Sequence, residues 1–140
     1  MKKMQFLENI WYGAAYPAEV ADKPLARMIC GMPMVLYRAE SDEVAALEDR
    51  CPHRQAPLSM GNVIGETIQC DYHGFLFDKT GACTHIPRQD RIPAANRVDA
   101  FAAVERWGFI WVWWGDQSKV DGTTIPDLSW TADENRRGQD

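Results

Sequence analysis

The sequence predicts a mainly β protein: an antiparallel sandwich or barrel carrying a small subdomain built of two loops. Two observations lead there. From Pro24 onward, short apolar runs alternate with turn residues at the spacing of an all-β domain. Within that pattern lie two turn-rich loops, each holding one cysteine and one histidine. These are Cys51-Pro-His53 and, sixteen residues later, Cys70-Asp-Tyr-His73. At 140 residues the chain is long enough for one domain with a real core.

Hydrophobic residues make up 46% and charged residues 25%, an ordinary globular balance that argues against disorder. The net charge of −5 leaves no basic stripe to neutralise phosphates, so no nucleic-acid partner is expected. Behind the N-terminal lysines, Gln5, Glu8 and Asn9 interrupt any apolar run, so no secretory signal is read. The longest apolar run, 109–114, is too short to cross a bilayer. No membrane association and a cytoplasmic location are expected. In that setting the four cysteines, Cys30, Cys51, Cys70 and Cys83, point to metal binding or burial rather than to disulfides.

Taken in order, residues 1–9 suggest a short helical lead-in, with Phe6 and Ile10 on one face. A first strand begins at Trp11 and ends at Pro17, and residues 18–23 connect. Strands are expected at 25–30, 34–38 and 43–48, with turns at 31–33 and 39–42 between them. Along 43–48, Val44 and Ala46 alternate with Ala45 and Leu47, so the buried face is not evident. The first loop, 49–61, is stiffened by Pro52 and Pro57, and Gly61 permits a sharp return. A brief strand at 66–69 leads straight into the second loop, 70–75. Residues 75–78 and 82–86 form a hairpin around Lys79-Thr-Gly81. A polar loop, 87–96, precedes a last hairpin of 97–104 and 109–114. Beyond Gly115 the texture is polar, with Ile125 and Trp130 as anchors, and an extended tail of poor order towards 136–140 is expected.

Two thiolates and two imidazoles fit either tetrahedral zinc or an iron–sulfur cluster. Zinc-finger histidines sit together on one helix. Here each histidine stands beside a cysteine in its own loop, with no helix following. A [2Fe-2S] cluster with Cys₂ on one iron and His₂ on the other takes one ligand per iron from each loop. Gly74, after His73, would let backbone pass close and offer N–H groups to the sulfides. A zinc-stabilised structural module remains the alternative.

The run from Cys51-Pro-His53-Arg54 to Cys70-Asp-Tyr-His73-Gly-Phe resembles the Rieske signature. Continued through Asp78-Lys-Thr-Gly-Ala-Cys83-Thr-His85, it resembles the oxygenase subunits of Rieske-type aromatic oxygenases. It is most similar to the vanillate demethylase and toluenesulfonate monooxygenase branch. Trp11-Tyr12 and Trp107-Gly-Phe-Ile-Trp-Val-Trp-Trp114 share in the likeness, which covers roughly residues 5–130.

The resemblance implies a Rieske fold with a Rieske [2Fe-2S] cluster. Cys51 and Cys70 would ligate the inner iron, and His53 and His73 the outer one. A flavin/iron–sulfur reductase would donate electrons. A mononuclear Fe(II) oxygenase site, in a catalytic domain or neighbouring subunit, would accept them. That site needs two histidines and a carboxylate, whereas His85 is the one histidine here beyond the cluster pair. The expected division is therefore a Rieske domain at 5–115 and a tail at 116–140 leading to a catalytic domain that this chain lacks. No catalytic residue is expected within it, and a homo-oligomer only where that domain is present. The expected role is electron transfer within an aromatic-compound monooxygenase or demethylase. A stand-alone ferredoxin-like carrier is the alternative. High-potential members of the pattern add a cysteine in each loop and a serine after His-Gly. The matching positions here are Ala56 or a neighbour, Tyr72 and Phe75, which predicts a low potential.

The remaining features receive plainer readings. Cys30 and Cys83 are expected to be inert, packed thiols, and His85 a surface histidine. Trp107, Trp111, Trp113 and Trp114 are expected to pack the sheet. Arg54, Arg88, Arg91 and Arg97 are expected to be a solvated face, with an acidic redox partner's docking rim as the sharper reading.

Overall fold

The structure, a computed structural model, describes residues 6–52, 56–71 and 73–128. Among these it forms strands β1 (Ile10–Ala15), β2 (Leu25–Ile29), β3 (Met32–Arg38), β4 (Val44–Glu48), β5 (Asn62–Ile64), β6 (Thr67–Gln69), β7 (Leu76–Phe77), β8 (Cys83–His85), β9 (Ala100–Phe101), β10 (Ala103–Arg106) and β11 (Phe109–Trp114). They make three antiparallel sheets, ordered β1-β11-β10, β2-β3-β4-β9 and β5-β6-β7-β8. The expected antiparallel β architecture is what the structure shows. No helix among the described residues is long and apolar enough to cross a membrane.

The β2-β3-β4-β9 sheet lies in the middle, and its inner strands β3 and β4 are covered on both faces. Along β3, Val35 and Tyr37 enter one core with Leu47, Ile68 and Phe77. Met34 and Leu36 enter a second core with Ala46, Ile110 and Val112. That is why Met34, Val35, Leu36 and Tyr37 are buried in succession. A strand covered on both sides reads as a continuous apolar run rather than an alternating one. The same reason resolves β4, where Ala45 and Leu47 face one core and Ala46 the other.

Tyr37 is fully buried, and its hydroxyl donates to the Glu66 carbonyl at 3.1 Å. Burial, with the Asp78 and Glu66 carboxylates adding to it, pushes the phenol well above its ordinary range. The native state then keeps a proton that the unfolded chain releases near pH 10. A raised native value gives stability that is present below that pH and lost as pH rises through it. Tyr37→Phe is expected to be about 1 kcal/mol less stable near neutral pH, because the Glu66 carbonyl loses its donor. Its stability should then fall less steeply than the wild type's above about pH 10. Urea denaturation across that range checks both; parallel alkaline slopes would contradict the assignment.

Two of the two-residue hairpin turns have both residues at positive φ: Cys30-Gly31 (52° and 77°) and Trp107-Gly108 (57° and 77°). These primed turns match the twist of the flanking strands. The first corrects the expected strand end, since Cys30 sits in the turn and β2 stops at Ile29. It also places Pro33 inside β3, where its carbonyl accepts from the Asp49 N–H at 2.9 Å.

Three further expectations change. Residues 6–9 are not helical; Asn9 has φ of 59°, and Ile10 already belongs to β1. Residues 1–5 of that lead-in lie outside the described residues. The strand expected over 97–104 divides at Ala102, β9 joining the middle sheet and β10 the outer one. The Ala102 N–H leaves the ladder to donate to Gln117 Oε1 at 2.9 Å. The segment after Gly115 is a docked strap as far as residue 128. Two 3₁₀ turns, Gln117–Lys119 and Gly122–Thr124, hold it, each capped by an aspartate side chain, Asp116 and Asp121. Trp130 and 136–140 lie outside the described residues.

The strap explains the tryptophans. Trp11, Trp111 and Trp113 form a third apolar cluster with Ile125 on the far side of the β1-β11-β10 sheet. Their indole N–H groups donate to main-chain carbonyls: Trp11 to Asp121 at 2.9 Å, Trp111 to Arg106 at 3.0 Å and Trp113 to Asp116 at 2.9 Å. Trp114 instead packs on the second core, stacked on Phe101 at 6.0 Å. Trp111, Trp113 and Trp114 are packing groups, as expected, and Trp107, in its turn, also packs against the third cluster.

Candidate metal centre

The two loops close in the same way. In the first, the Cys51 N–H donates to the Ala56 carbonyl at 2.7 Å. In the second, the Cys70 N–H donates to the Phe75 carbonyl at 2.8 Å. Each bond spans five residues and starts at a cysteine. Both cysteines are 1% exposed and belong to the same core, with Leu47, Leu58, Ile68 and Phe75. His73 is exposed, beside a recess lined by Phe75, Ile86, Pro87 and Arg88. So the described part of the expected quartet divides into a buried pair of soft sulfurs and an exposed imidazole. His53, Arg54 and Tyr72 lie outside the described residues. Among the described residues no set of three His, Cys, Asp or Glu side chains gathers as a metal site.

Two glycines fix the loops' approach. A Cβ on Gly61 would lie 1.8 Å from the Gln69 carbonyl oxygen, so the exit of the first loop presses against the residue before Cys70. Gly61 is needed for that contact, its φ of −91° being open to other residues. Gly74 is needed for φ, at +76°, and a Cβ there would also meet Pro87 at 3.3 Å. Its own N–H donates to the Cys70 carbonyl at 2.9 Å, so that donor is engaged within the loop rather than held out for a sulfide.

A feature that the sequence reading passed over stands at the neck of the first loop. The Asp49 carboxylate accepts from the Ser59 N–H at 2.7 Å and from the Ser59 hydroxyl at 2.6 Å. Aspartate and serine ten residues apart carry no local signature, so nothing in the pattern marks the pair.

The other candidates disperse. Cys30 packs at the second core and Cys83 at the first, and neither is in a disulfide. Burial pushes both thiols up, which keeps them protonated and slow to react. His85, on β8, is exposed, opposite Leu76. Arg88 lines the same recess as His73, while Arg97 donates to the Thr80 carbonyl at 3.2 Å around a separate recess shared with Phe101 and Gln117. Arg91 is exposed. The three described arginines do not all share the recess beside His73.

The donor set suits a group with one buried end and one exposed end. Thiolates are the ligands of iron–sulfur irons, and imidazoles replace two of them in the Rieske type. The family described as the Rieske [2Fe-2S] domain matches residues 10–101. The chain is 46% identical over 131 residues to the oxygenase component of dicamba O-demethylase from Stenotrophomonas maltophilia, covering 93% of this chain and 39% of that protein. It is 45% identical over 125 residues to the vanillate O-demethylase oxygenase subunit of a Pseudomonas species (strain HR199), covering 89% and 35%. The crystal structure of dicamba monooxygenase bound to dicamba superimposes with a TM-score of 0.87 at 45% identity, over 91% of this chain and 39% of that one. The chain thus spans about two-fifths of the length of such relatives. With both loops, their buried cysteines and the β2-β3-β4-β9 and β5-β6-β7-β8 sheets in the matched region, the chain belongs to the Rieske [2Fe-2S] domain family.

Proposed function

We propose that this chain is the electron-transfer domain of an aromatic-compound monooxygenase or demethylase. Cys51 and Cys70 hold the inner iron of its [2Fe-2S] cluster, and His53 and His73 hold the outer one. The observation that carries the reading is the pair of identically closed loops, with both thiols buried in one core and His73 exposed. When bound, the cluster supplies a one-electron redox couple. The chain's own part is to set its surroundings. Leu47, Leu58, Ile68 and Phe75 exclude water from the cysteine side. The exposed His73 marks the edge that a redox partner approaches. A flavin/iron–sulfur reductase is the donor, and a mononuclear-iron oxygenase site in the remainder of a longer polypeptide or a neighbouring subunit is the acceptor. In this reading residues 5–115 are the cluster domain, and the strap from residue 116 is the route towards the catalytic domain.

Phe75 is 6% exposed and sits where a serine hydroxyl would donate to a sulfide in high-potential members of the family. An apolar ring offers no such donor, so the reduced state is less stabilised. The midpoint potential is expected near the low end of the roughly −150 to +300 mV span of Rieske centres. A redox titration of the purified protein, with iron and acid-labile sulfide assayed at 2:2, tests this. A clearly positive midpoint contradicts the account of Phe75. Zinc without sulfide contradicts the proposed function.

A further inference from the structure

We infer that Asp49 is the positioning residue of the first ligand loop and that it acts through Ser59; this rests on the proposed cluster site. The two loops are held differently at their ends. The second joins β6 to β7, which pair with each other, Gln69 opposite Leu76 and Ile68 opposite Phe77. A strand ladder therefore grips both of its ends. The first loop leaves β4, a strand of the middle sheet, and returns to β5, a strand of the loop-bearing sheet. Its ends share no ladder.

The Asp49–Ser59 contact replaces that ladder. Asp49 lies two residues before Cys51, and its N–H is fixed by the Pro33 carbonyl at 2.9 Å. Both of its carboxylate oxygens accept from Ser59, at 2.7 and 2.6 Å. Ser59 belongs to the 3₁₀ turn Leu58–Met60, whose Leu58 is fully buried in the core that holds both cysteines. The clamp thus ties the start of the loop, the anchor of its far side and the position of Cys51 to one another. Paired hydrogen bonds fix direction as well as distance. Loss of the clamp frees the loop neck while leaving the three apolar cores in place.

The test uses the whole chain loaded with its cluster. Asp49→Ala, Ser59→Ala and Ser59→Thr are compared with wild type in three readouts: the rate at which chelator bleaches the cluster, the EPR g-values of the reduced state and the midpoint potential. Asp49→Ala and Ser59→Ala are expected to lose the cluster at least about tenfold faster and to shift the g-values. Ser59→Thr, which keeps both donors, is expected to stay within about twofold of wild type. The double variant is expected to be no worse than Asp49→Ala alone, because the two residues act as one unit. Wild-type bleaching rates or unchanged g-values in Ser59→Ala overturn the inference, as does a Ser59→Thr variant no better than Ser59→Ala. Where Asp49→Ala fails to fold, the two Ser59 variants decide. A wild-type protein without a [2Fe-2S] cluster would instead overturn the proposed function, which keeps the two failures distinct.

Discussion

Gly61→Ala is expected to abolish cluster binding and to unfold the loop-bearing part of the protein. The added Cβ would sit 1.8 Å from the Gln69 carbonyl oxygen and 2.9 Å from its carbon, atoms of backbone that no rotamer change can move aside. Relief requires the exit of the first loop to separate from the end of β6, and the next residue after Gln69 is Cys70. Overpacking a closed site costs about 1–3 kcal/mol, and a backbone-to-backbone clash lies at or beyond the upper end of that range. Iron content after anaerobic reconstitution should therefore fall below about a tenth of wild type, with a lowered urea midpoint. A variant with full iron content would show that the loops do not need this contact.

Cys70→Ser carries the second large effect. The substitution barely changes volume, so the core with Leu58, Ile68 and Phe77 keeps its packing partners. A serine hydroxyl does not replace a soft thiolate on an iron–sulfur iron. Visible absorbance and sulfide are expected to disappear while the far-ultraviolet β signal stays near wild type. Cys83→Ser is the matched control. Cys83 also packs against this core but lies on β8, outside the two loops, and should retain its full cluster. Equal loss in both variants would make Cys83 a ligand and the two-loop assignment wrong.

Much of this was legible in the sequence because chemistry and punctuation are local signals. A cysteine and a histidine one or two residues apart, twice, in proline- and glycine-marked loops, point to a metal without any knowledge of the fold. Turn residues likewise marked most strands. What was hidden depends on distant partners. Residues 44–47 showed no favoured face because both faces of β4 are covered, one by Ile68 and Phe77, the other by Ile110 and Val112. The break at Ala102 is fixed by the side chain of Gln117, fifteen residues away. Cys30 read as a strand residue because its neighbours are apolar, yet its positive φ belongs to the turn with Gly31. The Asp49–Ser59 clamp joins two ordinary polar residues whose meaning comes from the change of sheet between β4 and β5. The tryptophans announced packing by their alternation, and Ile125 stood out as an anchor of the strap that covers them, but the main-chain carbonyl of Asp121 that accepts from Trp11 left no mark in the sequence.

The central claim is that two histidines and two cysteines from these loops hold one cluster. Pulsed EPR of the reduced protein tests it most directly, by counting the nitrogen nuclei coupled to the iron. The account predicts two strongly coupled nitrogens in the wild type and one in His73→Cys, with the cluster retained and its potential lowered. Two nitrogens persisting in His73→Cys, or none in the wild type, would contradict it.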